Sequence, residues 1–177
     1  MMKSLSPISL FLSFFLIFSC VSCFDLIACT CNKIAAADQN INYNFCIATL
    51  KADPKSRTAD LKGLGSISIN LNKARATYIN SYVKNLLNKG GDVTTKQCLQ
   101  YCSGYYSDAV YNVNTAIKDL YSGDYQGANI KISAAMAAPA DCEDEFKNKR
   151  LLSPVTKQGQ VFFQISAICL YFTNIFD

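Results

Sequence analysis

Residues 99–120 read LQYCSGYYSDAVYNVNTAIKDL. Within them an apolar or small side chain recurs at Leu99, Cys102, Tyr106, Ala109, Val113, Ala116 and Leu120. The steps alternate three and four, the repeat of one face of a long α-helix. Working outward, the same rhythm returns at Tyr125, Ala128, Ile132, Ala135, Pro139, Cys142 and Phe146, and at Val161, Ile165, Ile168, Phe172 and Ile175. A less regular run precedes it at Leu64, Ile67, Leu71, Ala74, Tyr78, Tyr82 and Leu86. No β-type alternation of useful length and no internal repeat occurs. Four amphipathic helices with short connections predict an all-α, up-and-down four-helix bundle over residues 61–177.

The punctuation agrees. Gly90-Gly91 stops the first long helix, and Thr94 or Thr95 is placed to cap the second. Gly123 ends the second and Asp124 caps the third. Pro139 falls inside the third run and should break or kink it. Ser153-Pro154 offers a cap and a first-turn proline to the fourth. Residues 24–60 read differently: Leu26 to Ala37 and Tyr43 to Leu50 look like two short helices, each too short to stand alone, hence an N-terminal helical hairpin.

The first 23 residues read as a secretory signal peptide, with one charge at Lys3, an apolar core from Ile8 to Phe18, and small residues offering cleavage after Ser22 or Cys23. That core is shorter than the roughly 20 residues a membrane span needs, and no later stretch reads as long and charge-free enough to span. Cleavage leaves about 154 residues, a usual size for one domain. Loss of Lys3 lowers the net charge from +4 to +3. So mild an excess lacks the basic stripe that nucleic-acid binding requires.

Nine cysteines in an exported chain indicate a disulfide framework. Spacing alone leaves the pairing open, and Cys98, one turn before Cys102, is an alternative to it. Cys29, Cys98 and Cys169 read as buried free thiols. Cys29/Cys31 with Cys98/Cys102 matches no zinc spacing, so neither a metal nor another cofactor is expected.

Catalysis finds little to work with. The chain has no histidine, which excludes Ser-His-Asp and Cys-His arrangements. Its only glutamates, Glu143 and Glu145, flank Asp144 in an acidic cluster that reads as solvated surface. No phosphate-binding Gly-rich loop occurs. Of ten tyrosines, Tyr105 and Tyr111 fall off the apolar face and should be exposed, where tyrosine favours protein recognition. The reading is of a binder and not of an enzyme.

Several stretches carry a resemblance: Asn42-Tyr43-Asn44-Phe45-Cys46; Asp53-Pro54-Lys55-Ser56 with Thr58-Ala59-Asp60-Leu61-Lys62-Gly63-Leu64-Gly65; Cys102 with Tyr106 and Asp108-Ala109; Gly123-Asp124-Tyr125 with Ala128-Asn129; and Cys142-Glu143-Asp144 with Phe146. On these, the chain resembles the plant invertase/pectin methylesterase inhibitor family, from about Cys31 to Ile175. The resemblance implies disulfides Cys31–Cys46 and Cys102–Cys142. It implies an inhibitor domain over residues 24–177, acting in the cell-wall space as a monomer that covers the active-site cleft of pectin methylesterase or acid invertase. It marks Asp108, Asp124 and Asn129 as contact residues, beside Tyr105 and Tyr111.

The family's two targets leave different marks. Cell-wall invertase inhibitors carry Pro-Lys-Phe where this chain has Tyr125-Gln126-Gly127. Pectin methylesterase inhibitors carry acidic residues after the first cysteine of the second bridge, of which only Asp108 is present, and threonine where this chain has Asp141. The balance points to pectin methylesterase, with acid invertase as the alternative and a non-inhibitory secreted binding protein behind both.

Overall fold

A computed structural model describes residues 25–177. The signal-peptide reading, residues 1–23, lies outside the described residues. The chain opens with helix α1 (Leu26–Ala37) and helix α2 (Tyr43–Lys51), each started by a side-chain cap. Asp25 accepts from the amides of Ile27 and Ala28, and Asn42 from that of Phe45. The two helices form the expected hairpin, joined by Cys31–Cys46 with a Cα–Cα distance of 5.6 Å. A short 3-10 turn, Pro54–Arg57, follows. Asp60 then caps α3 (Leu61–Lys89) by accepting from the Gly63 amide at 2.7 Å.

The bundle continues with α4 (Val93–Ser122), α5 (Tyr125–Met136), α6 (Ala138–Asn148) and α7 (Thr156–Phe176). Helix α3 packs on α4 and α7, and the α5/α6 pair packs on the same two neighbours, closing a four-membered ring. The third member is broken at Ala137, with Pro139 in the first turn of α6, where its missing amide is no loss. Gly90 and Gly123, at φ 85° and 84°, end α3 and α4 in a region closed to most side chains. The cap of α4 is Asp92, which accepts from the Thr95 amide, rather than Thr94 or Thr95 themselves. Ser153 accepts from the Val155 amide, but α7 begins only at Thr156.

Two hydrophobic cores form. One runs through the bundle, from Ile69, Ile79 and Val83 of α3 across the α4 stripe to Ile132, Phe146 and Phe162. The other lies under the hairpin, where Ile27, Ile34 and Leu50 meet Leu64 of α3 and Ile168 and Phe172 of α7. Cys102–Cys142 sits in the first and Cys31–Cys46 in the second.

Every position of the α4 stripe is buried, as its periodicity predicts. Helix α3 is not as read. Beyond Leu71 its buried line is Asn72, Ala76, Ile79 and Val83, while Tyr78 is 48% exposed. The inward position at Asn72 is polar, and its Oδ1 accepts from buried Ser166 of α7. Tyr78 instead lies outside, stacked on half-buried Tyr82, which with Leu86 packs against the edge of the bundle core, and the Arg75 guanidinium sits over the Tyr78 ring.

Helix α7 corrects the sequence reading twice. Its buried face includes Phe162 and Cys169, and Ile175 is exposed. It is also long and apolar enough, by length and composition, to cross a membrane, contrary to the expectation that no later stretch would be. Its apolarity follows from its place: it serves both cores, with half of its most hydropathic window buried. Cys98 and Cys169 are buried free thiols, as expected. Cys29 is not. It is disulfide-bonded and only half-buried, two positions before Cys31 and off the inward line of α1.

Candidate protein–protein interface

The side chains singled out from sequence spread along α4 and onto α5. Tyr105 and Asp108 share a polar groove of about 200 Å³ between α4 and the α5/α6 pair, completed by Ala109, Asn112, Ala134 and Asp141. The groove exists because Cys102–Cys142, at a Cα–Cα distance of 4.7 Å, clamps α6 against the start of α4. Nearby, the Cys98 thiol donates to the Glu145 carbonyl at 3.5 Å, one turn along from the bridge.

Tyr105 is half-buried rather than exposed, because its phenol donates to Glu145 Oε1 at 2.7 Å. That bond, with partial burial, pushes the phenol up to about 12. The ring is thereby held as one wall of the groove. Asp108 is exposed and makes no hydrogen bond or ion pair among the described residues. Tyr111, one turn further on, is 69% exposed.

The other two residues stand apart. Asp124 lies at the far end of α4, sixteen positions and so about 24 Å beyond Asp108 along the helix axis. Its carboxylate is used locally, accepting from the Gly127 amide at 2.8 Å. A Cβ at position 127 would fall 2.3 Å from Asp124 Oδ2, so a side chain there would displace the capping carboxylate from its present position. Asn129 is tied inward: its Nδ2 donates to Thr173 Oγ1 at 2.9 Å and Asn174 Oδ1 at 2.8 Å, joining α5 to the end of α7. The structure therefore brings Tyr105 and Asp108 together in one groove, with Tyr111 a turn further along the same helix, and leaves Asp124 and Asn129 apart.

Sequence reasoning missed Asp141 and Asn112 in the groove and Glu145 behind it. Asp141 and Glu145 depend on the Cys102–Cys142 pairing, which sets which residues of α6 face Tyr105, whereas Asn112 lies one turn after Asp108 on α4 and was within reach of helix phase. Among the described residues no group of His, Cys, Asp and Glu is placed to hold a metal ion.

A paired-cysteine hairpin ahead of a stapled four-helix bundle narrows the possibilities, and the family model for plant invertase/pectin methylesterase inhibitors matches residues 25–172. The chain belongs to the plant invertase/pectin methylesterase inhibitor family. As a member of an inhibitor family it is not a catalyst. It is 41% identical over 176 residues to a Platanus acerifolia protein named "Putative invertase inhibitor", covering 99% of this chain and 98% of that one. It is 36% identical over 151 residues to pectinesterase inhibitor 12 of Arabidopsis thaliana, covering 85% and 87%. The crystal structure of a mutant form of an Arabidopsis pectin methylesterase inhibitor superposes with a TM-score of 0.69 at 25% identity, covering 81% of this chain and 96% of that one.

Proposed function

We propose that this family member is secreted to the cell wall as a monomer and inhibits pectin methylesterase by binding one to one over the enzyme's active-site cleft. The observation that carries this reading is the groove at Tyr105, Asp108 and Asp141, on a surface stapled by Cys102–Cys142. Asp108 is an uncommitted carboxylate beside a second one, and Tyr105 is already fixed in place. A surface that needs no ordering on association loses little entropy there. Its charge would steer a basic rim toward it. An interface of about 1,600 Å² is usual for inhibitor complexes, so Tyr111 would fall within the same footprint.

Acid invertase is the second reading, favoured by the name of the Platanus acerifolia relative. Against it stands Gly127, where cell-wall invertase inhibitors carry phenylalanine. With glycine there, the Asp124 carboxylate occupies the space that the phenylalanine would take. The deciding experiment assays the secreted chain against both enzymes in parallel. Inhibition of pectin methylesterase alone is the expected result, and inhibition of invertase alone reverses the assignment. Inhibition of neither leaves a secreted binding protein of the same fold.

A further inference from the structure

We infer that the corner where α2 meets the start of α3 is a binding pocket for a carboxylate-bearing sugar, a uronate. A surface pocket of about 570 Å³ opens there, lined by Asp25, Ile27, Lys51, Ser56, Arg57 and Ala59. It lies on the 3-10 turn and the hairpin, on elements separate from the α4 groove.

Ser56 is the first pointer. It is 3% exposed, its amide donates to the Asp53 carbonyl, and its Oγ has no hydrogen-bond partner. A hydroxyl shielded from water and left unpaired costs free energy, which a ligand oxygen would recover once the Ser56 side chain turns toward the pocket it lines. Charge is the second. Lys51 and Arg57 face one carboxylate, Asp25, and that carboxylate is bonded to Lys51 Nζ at 2.9 Å. The two neighbouring carboxylates are turned to backbone: Asp53 accepts from the Lys55 amide and Asp60 from the Gly63 amide. Arg57 makes no ion pair among the described residues. A guanidinium offers the planar fork that matches a carboxylate. A neutral ligand would satisfy Ser56 and leave Arg57 unused.

The size suits a sugar or two, since small-molecule sites run from about 300 Å³ upward. The choice of a uronate rests on the proposed function: hydrolysing a methyl ester of pectin leaves a carboxylate on the sugar, so an inhibitor of that reaction works among its product groups.

The test is a titration of the isotopically labelled secreted chain with a uronate disaccharide, its methyl ester, and acetate, following backbone amide shifts. The expected result is saturable shifts at Ser56, Arg57 and Ala59 with the uronate, and at least tenfold weaker binding of the ester and of acetate. Arg57→Gln, an exposed position whose loss should leave the melting temperature unchanged, should weaken uronate binding at least tenfold. Equal binding of the ester, or an unaltered affinity in Arg57→Gln, overturns the anion assignment. Acetate as tight as the uronate overturns the sugar assignment. Inhibition is read separately: a wild type that blocks neither enzyme removes the proposed function, whereas the titration alone decides the pocket.

Discussion

Tyr105 and Glu145, forty positions apart, share a 2.7 Å hydrogen bond in which the phenol donates to the carboxylate. The bond spans α4 and α6 and depends on the bridge between Cys102 and Cys142. It makes a surface tyrosine part of the scaffold. It also gives that tyrosine a charge-assisted partner that disfavours ionisation.

The Tyr105 phenol ionises at about 12 when folded against the usual 10 when unfolded. The contribution is therefore fully present below pH 10 and lost as pH rises from about 10 through about 12. Wild type should lose stability over that window faster than Tyr105→Phe, whose unfolding carries no such term. Buried Tyr106 is also shifted upward, by burial first and by Glu143, and is common to both chains. Parallel alkaline denaturation curves for the two proteins would contradict the bond.

Gly159 of α7 allows a close approach: a Cβ there would lie 3.0 Å from the Tyr106 hydroxyl and 3.1 Å from Pro139 Cβ. Gly159→Ala should destabilise by about 1–3 kcal/mol through overpacking. The Tyr106 hydroxyl has no hydrogen-bond partner. Tyr106→Phe should therefore change stability by less than about 1 kcal/mol, and toward stabilisation. Combined with Gly159→Ala it should restore part of the loss. Strictly additive melting data for the pair would show that the hydroxyl is not the obstacle.

Val113 is fully buried on the α4 stripe, and Asn114 is half-buried beside it with its amide bonded to the Val110 carbonyl. Val113→Asp should cost upwards of about 4 kcal/mol by burying an unpaired charge. Asn114→Asp should stay within about 1 kcal/mol. Equal melting temperatures would refute the phase of the helix.

Asp108→Ala should weaken binding of pectin methylesterase by roughly 1 kcal/mol, about fivefold, and flatten the salt dependence of association. The fold should be unchanged, since Asp108 is exposed. Measured association and dissociation rates at two ionic strengths check this, and an unaltered affinity removes the groove from the contact surface.

Non-reducing peptide mapping should recover Cys31–Cys46 and Cys102–Cys142. Cys98 and Cys169 should resist alkylation until the protein unfolds. Burial raises both thiols, that of Cys169 to about 12, so neither supplies reactive thiolate at neutral pH. Rapid native-state labelling of either would place it outside the core.

Helices were legible where one face is wholly apolar, as in α4, whose stripe from Leu99 to Leu120 is buried throughout. They were misread where the inward line carries a polar residue. In α3 the apolar rhythm runs through exposed Tyr78, because Asn72 does not register as a core position. Its buried partner, Ser166, lies 94 residues away and no local pattern announces it. The site was less legible for the same reason. Exposure of Asp108 and Tyr111 follows from helix phase, but the retention of Tyr105 by Glu145 and of Asn129 by Thr173 depends on which helices are neighbours.

The bridges Cys31–Cys46 and Cys102–Cys142 serve different cores, one under the hairpin and one within the bundle. The two ends of the molecule should therefore open with different ease, although α3 and α7 run through both. The hairpin unit rests on short helices and a smaller apolar cluster, so its amides should exchange with solvent through openings that leave the rest of the protein closed. Breaking Cys31–Cys46 would then shorten the lifetime of one end while the α4 groove, held by the other bridge, keeps its shape.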